Sequence, residues 1–513
     1  MSDFKANWPD VRIEDIFYAT GNSSTTLWRW IALHKARWYK RATGRLRNLP
    51  VDFALSESYN HFCDRHGHEP DWMRHLSPDM RSDIRHRWIT SDNFDPLWIF
   101  WYQRGLGFSF GIWTDGFVHD IAIAFNLFRL GYVRQLGFLH DPVVNDLTAD
   151  MGMAENFHHS RLAHVAKVGA VAGLIARQIK LPLKLTRHVI AAGLTHDTLT
   201  PAGGDSVKPI DPAGLDEDAH YHETLENNPL WEKVSQRYGL DADLLIRTVN
   251  GQGLLGQILD LADKTTYVAH DVEAYLKWNH PRKFGIAPPP GFMEIAELYR
   301  KLRQTSCRLW DCVEIVAGQL VITNPKRLAG FLKLRALMFK YLYFNPRARY
   351  REQMLALLIL EPLYHEGHLT REMLIRMTDW ELWGWMTDFT GCEIREQLSY
   401  SNKAPMVEAF ATEEEALARL RVLHTDDQTL LFMLETFPEP SRKAVQMLVR
   451  DEAGMVRPFT EACPEEAKEI LAIGRDPAPV KLYILDRHKM HGVLPEHLVA
   501  KLYARQRERF GLE

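Results

Sequence analysis

The chain has 513 residues, 46% hydrophobic and 25% charged, with a net charge of -4 when its 23 histidines are neutral. That length calls for more than one domain or one large core with appendages, and the charge argues against bulk attraction to nucleic acid. No uncharged apolar run reaches the roughly 18 residues of a membrane span; the start lacks an apolar signal core, and the five cysteines include no Cys-x-x-Cys, so a cytoplasmic protein with no membrane partner is expected.

Residues 1–115 form the first predicted region, rich in aromatics and mostly helical in period. Cys63, His66 and His68 lack a fourth ligand at matching spacing and read as a polar connection. The aromatic run from Trp98 to Trp113 reads as core or as a subunit contact, and a homo-oligomer is expected. From about Asp115, short polar joints separate helices. One helix is predicted over Ile121–Gly137, ending Arg134-Gln135-Leu136-Gly137, followed by a polar insert over His140–Glu155. Another is predicted over Ser160–Ile179, where His164, Val168, Val171, Ala172 and Ile175 share one face. Leu185–Leu194 is the next helix; His196-Asp197 stands at its end, and Pro201, Gly203 and Gly204 follow as breakers.

Residues 198–219 read as a loop running into the acidic, histidine-bearing stretch Asp216–Glu223. The G-x-G-x-x-G at Gly251, Gly253 and Gly256 follows a predicted helix, Asp241–Val249, where a dinucleotide fingerprint would follow a strand, so that reading is set aside. A long helix is predicted over Leu254–Trp278. Pro288-Pro289-Pro290-Gly291 marks an exposed insertion, and Val313–Ile322 reads as a small β-hairpin around Ala317-Gly318-Gln319. A helix over Pro325–Tyr343 follows. Residues 116–361 thus make a helical core, and 362–513 an accessory helical region without a ligand cluster. The fold class expected is mainly α.

His164, His196, Asp197 and Asp263 are two imidazoles and two carboxylates in the order His…His-Asp…Asp. Mixed N and O ligands suit Mn²⁺, Mg²⁺, Fe²⁺ or Zn²⁺ without choosing among them; taken singly, each histidine could as well be a satisfied core or surface residue. Asp263, Tyr267, Asp271 and Tyr275 recur every four residues on one slowly drifting helical stripe. Two carboxylates and two phenols suit the wall of a polar pocket, or else a solvated face. Arg161, Lys264 and Arg335 are cations that could meet a polyphosphate or could lie on the surface.

In its ligand order the chain resembles the HD phosphohydrolase superfamily, whose fold is a helical bundle. Within it the chain is similar to the deoxynucleotide triphosphohydrolase branch, which includes bacterial dGTPases and the SAM-and-HD-domain dNTPase. The likeness covers about residues 116–352, discontinuously. Gln135-Leu136-Gly137 matches the family's Gln-Leu-Gly. His159, Arg161 and His164 match H-x-R-x-x-H, and Asp263, Lys264, Tyr267 and Asp271 match D-K-x-x-Y-x-x-x-D. Arg335 and Tyr343 match R-x₇-Y.

The resemblance implies a divalent metal on His164, His196, Asp197 and Asp263, and a triphosphate on Arg161, Lys264 and Arg335. It implies a sugar among Gln135, Tyr267, Asp271 and Tyr343, with Asp271 facing the 3′-hydroxyl. The implied reaction is water attack at the α-phosphorus, releasing deoxynucleoside and triphosphate. One stretch departs from the pattern: after His196-Asp197 the chain reads Thr-Leu-Thr-Pro-Ala-Gly-Gly-Asp, without the family's two later histidines, one of them its candidate acid. His222, beside Glu223, is the expected proton donor, with Asp205 the second candidate. Two rivals stand beside this reading. One is an HD phosphohydrolase of another nucleotide, such as a signalling nucleotide or a monophosphate. The other is a nucleotide-sensing protein that binds without turnover.

Overall fold

A computed structural model of the chain describes residues 116–140, 160–226, 228–276, 291–304, 309–391, 406–427, 429–486 and 496–512. The predicted first region 1–115, with Cys63, His66, His68 and the aromatic run, lies outside them, as does His159. The architecture is mainly α with small sheets. The principal helices are α1 (Gly116–Ala124), α2 (Arg161–Gln178), α3 (Leu183–Thr195), α4 (Trp231–Tyr238), α5 (Ala242–Val249), α6 (Gly253–Leu276), α7 (Pro325–Met338), α8 (Asp379–Thr390), α9 (Glu413–Asp426), α10 (Pro464–Gly474) and α11 (Glu496–Phe510). No described helix is long and apolar enough to cross a membrane.

The described residues fall into two compact units. The first holds 116–127, 165–196 and 222–262, and the second holds 128–164, 197–221 and 263–512. In the first unit, α3 packs on α5 and α1, and α4 packs on α1. The second half of α3, His188–Thr195, is buried throughout. Helices α2 and α3 touch backbone to backbone: a Cβ on Gly193 would lie 2.8 Å from the Gly169 Cα. Glycine costs about 1 kcal/mol against alanine inside a helix, and here its missing side chain allows the approach. His188 is a satisfied core histidine, with Nδ1 2.7 Å from the Lys184 carbonyl and Nε2 accepting from the Asp241 N–H at 2.8 Å. Gly251, in the turn between α5 and α6, and Gly253, the first residue of α6, take positive φ, so the glycine-rich motif joins two helices.

In the second unit, the predicted hairpin forms as β1 (Val313–Val316) and β2 (Gln319–Ile322), turning at Ala317-Gly318 with positive φ at both. That geometry matches the twist of two-residue hairpins. The region 362–513, predicted helical, also supplies five strands: β3 (Met406–Phe410), β4 (Leu430–Thr436), β5 (Leu448–Arg450), β6 (Val456–Pro458) and β7 (Val480–Asp486). They complete two sheets, ordered β1-β2-β5-β6 and β3-β7-β4. Runs such as Leu430–Thr436 are short and apolar, and periodicity cannot separate a short buried helix from a strand there.

Two predicted helices are also revised. Ile121–Gly137 is α1 followed by 3₁₀ turns at Leu127–Tyr132 and Gly137–His140, broken where Asn126 and Gly137 take positive φ. Pro325–Tyr343 is α7 followed by a π turn over Phe339–Tyr343.

Candidate metal centre

Ser160 caps α2, its hydroxyl accepting from the Ala163 N–H at 3.3 Å. The Arg161 N–H donates to the Val133 carbonyl at 2.8 Å and Arg134 pairs with Ser160, which ties the chain at Gln135 to the start of α2. One turn into the helix, His164 is buried. Its Nε2 lies 2.9 Å from Asp263 Oδ1 and 3.8 Å from Asp197 Oδ2. One ring nitrogen thus faces two carboxylates drawn from distant parts of the chain.

His196 caps the C-terminus of α3 and is joined by a peptide bond to Asp197. Its Nδ1 lies 3.0 Å from the Gly193 carbonyl; an N–H donated there leaves Nε2 as the basic nitrogen, the usual arrangement for a ligating imidazole. Within the second unit, His164 and Asp263 bring an imidazole and a carboxylate together, with the Asp197 carboxylate beside them. Imidazole and carboxylate donors this close fit a divalent cation of the Mn²⁺, Fe²⁺, Zn²⁺ or Mg²⁺ kind.

Arg161 is buried, and its fork reaches two carboxylates, Asp197 Oδ2 at 2.9 Å and Asp205 Oδ2 at 2.5 Å. Lys208 continues the ladder, 2.7 Å from Asp205 and 2.6 Å from Glu217. Desolvation works against ionised Asp205, yet Arg161 and Lys208 hold its carboxyl down at about 2. As it stands here, Asp205 is an ionised acceptor, and a proton donor near neutral pH would have to be held in the opposite direction. Lys208, in a short 3₁₀ turn, and the buried Glu217, in the acidic stretch, stand where no periodicity marks them as site residues. His222 is half-buried in the turn ahead of the short helix Glu223–Glu226.

Further along α6, four of the predicted sugar and phosphate residues, Tyr267, Asp271, Arg335 and Tyr343, come together. Tyr343 donates to Asp271 Oδ2 at 2.5 Å, and the Arg335 Nε donates to the Tyr267 hydroxyl at 2.7 Å. The Tyr267 and Tyr343 rings meet edge to face at 6.4 Å. Arg335 also donates to the Pro440 carbonyl at 2.7 Å and lies over the Phe339 ring. Burial pushes the Tyr267 phenol up to about 12 against the pull of Arg335, and burial and then Asp271 raise that of Tyr343 well above the usual tyrosine value. Both phenols are therefore neutral, Tyr343 donating to Asp271 and Tyr267 accepting from Arg335. On an uninterrupted α-helix, Arg335 and Tyr343 would stand about 80° apart; the wider π turn between them lets both reach the stripe on α6. Gln135 is buried, and its Oε1 has no hydrogen-bond partner among the described residues. Lys264 follows Asp263 on α6, half-buried.

No protein-family model matches the chain, and no curated protein matches it. Solved structures do. A phosphohydrolase from Bacteroides thetaiotaomicron superposes with a TM-score of 0.50 at 15% identity, over 72% of this chain and 96% of that one. The fold is phosphohydrolase-like. A hypothetical protein from Aquifex aeolicus matches with a TM-score of 0.47 at 15% identity, over 76% of this chain and 95% of that one.

Proposed function

We propose that this chain is a metal-dependent phosphohydrolase acting on deoxynucleoside triphosphates, releasing deoxynucleoside and intact triphosphate. The observation that carries the reading is the meeting of His164, Asp197 and Asp263 at one end of a helix stripe, with the Tyr343–Asp271 and Arg335–Tyr267 pairs further along it. The phosphohydrolase-like fold supports the reaction class. His164, His196, Asp197 and Asp263 would hold the ion, which would lower the pKa of a bound water and polarise the phosphoryl group.

Around that centre the chain's own residues take the roles the resemblance implies. Arg161, Lys264 and Arg335 hold the triphosphate, with Arg161 exchanging part of its Asp205 contact for phosphate oxygens. Asp205 is the half-exposed partner in that pair, and so the one easier to displace. Asp271 accepts from the 3′-hydroxyl, Tyr267 and Tyr343 pack on the sugar, and the amide of Gln135 turns toward it. His222 is the proposed proton donor to the leaving group. A homo-oligomer in the cytoplasm completes the reading.

One observation favours a sensor that binds without turnover: the loop after Asp197 has no histidine, and its carboxylate, Asp205, is ionised. The experiment that decides is a panel of dNTPs, rNTPs, monophosphates and signalling nucleotides with Mn²⁺, Mg²⁺ and Fe²⁺, products resolved by chromatography. Intact tripolyphosphate from dNTPs is the expected product. Release of monophosphate or pyrophosphate would move the chain to another phosphohydrolase class, and binding without product would make it a sensor.

A further inference from the structure

The loop behind His196-Asp197 has an anchor far away in the sequence. Asp379, the first residue of α8, is buried, and each of its carboxylate oxygens takes one backbone N–H: Oδ2 from Arg134 at 2.9 Å and Oδ1 from Gly203 at 2.8 Å. Arg134 precedes Gln135. Gly203 takes φ +80° two residues before Asp205, which grips Arg161, which in turn grips Asp197. Around Asp379 the same loop is held again. The Arg129 guanidinium donates to the carbonyls of Thr198 at 3.1 Å and Thr200 at 2.7 Å, and to Met377 at 2.9 Å. The Ala202 N–H donates to the Leu374 carbonyl at 2.8 Å. Asp379 is itself fixed by the capping box of α8, in which Thr378 and Glu381 exchange hydrogen bonds.

Both bonds stabilise the fold by satisfying a buried carboxylate. A single carboxylate that ties together two segments, each next to a residue of the candidate site, does more: it sets their separation. We propose that Asp379 is a positioning residue of the site, holding Gln135 and the Thr198–Asp205 loop in register, with Arg129 as the second hold on the loop. This inference rests on the phosphohydrolase reading for its effect on turnover; its effect on the two segments stands apart from it.

The test uses the full chain loaded with Mn²⁺. Asp379→Asn keeps the shape but replaces one acceptor oxygen by an N–H₂ group, so one of the two backbone N–H groups loses its partner. Hydrogen exchange should rise tenfold or more in this variant at whichever of the Arg134 and Gly203 amides faces the new N–H₂ group. Arg129→Gln should raise exchange in 198–206 and leave Arg134 unchanged. On a mixture of the four dNTPs, at a temperature where circular dichroism shows the variant folded and with wild-type Mn²⁺ content, Asp379→Asn should lower kcat tenfold or more. A merely structural role would lower the melting temperature and leave kcat of the folded enzyme alone, and that result overturns the proposal. Unchanged exchange at both amides overturns it too. Should the wild type turn over no nucleotide, the phosphohydrolase reading fails, and exchange alone decides whether Asp379 holds both segments.

Discussion

At the scale of single residues, the proposed chemistry rests on His164 and the two carboxylates facing it. Asp197 is buried and tied to Arg161. Asp197→Ala should therefore remove bound metal and activity together while far-ultraviolet circular dichroism stays helical, because no neighbouring imidazole replaces a carboxylate's charge. Metal analysis showing full stoichiometry in that variant would rule Asp197 out as a ligand. Asp271 is the residue that would separate sugars. A site built for a substrate hydroxyl discriminates against its absence, since a buried acceptor is left without its bond. Deoxynucleotides should thus be preferred over 2′,3′-dideoxynucleotides, and Asp271→Ala should erase most of that gap. Equal wild-type rates on both would leave Asp271 without a sugar role.

At the scale of elements, the crossing of α2 and α3 places the end of α3 where His196 and Asp197 follow. Its tolerance is small. In Gly193→Ala the new Cβ would sit 2.8 Å from the Gly169 Cα and 2.9 Å from its nitrogen, both backbone atoms that cannot turn away. Overpacking of this kind costs about 1–3 kcal/mol, more than alanine's helix propensity returns. Urea denaturation should show the loss, with metal affinity falling as the helix end shifts. An unchanged midpoint would mean that the two helices part without cost.

At the scale of the whole molecule, a buried polar network runs through the second unit from the loop to the sheet of β3, β7 and β4. The Phe138 N–H donates to Ser206, Ser206 to Glu352, and Arg349 links Glu352 to Glu435, to which Tyr483 also donates. Burial, against the pull of Arg349, pushes the Glu352 carboxyl up from 4.5 to about 7. Between those values the folded chain keeps a proton that the unfolded chain has released. The stability this confers is complete below about 4.5 and is lost as the pH rises through about 7. Glu352→Gln, neutral throughout, should therefore gain on the wild type between pH 5.5 and pH 8, measured as the change in urea midpoint difference with metal removed. A difference that does not move with pH would mean that Glu352 is ionised in the fold.

By itself the sequence determined the helical character of the core, the β-hairpin at Val313–Ile322 and the spacing that puts Asp263, Tyr267 and Asp271 on one stripe. These are local properties, written in helical period, turn chemistry and residue type over a few turns of chain. Tertiary structure alone decided the rest. The π turn that lets both Arg335 and Tyr343 reach α6 has no mark in the pattern of apolar residues. The strands Leu430–Thr436 and Val480–Asp486 are short apolar runs whose state depends on finding each other as sheet partners. Asp379 meets Arg134 and Gly203 across 245 and 176 residues, and Lys208 meets Asp205 and Glu217 within an irregular loop. Contacts of that kind follow from how the chain is routed, and the routing depends on packing of the whole unit, which no local period encodes.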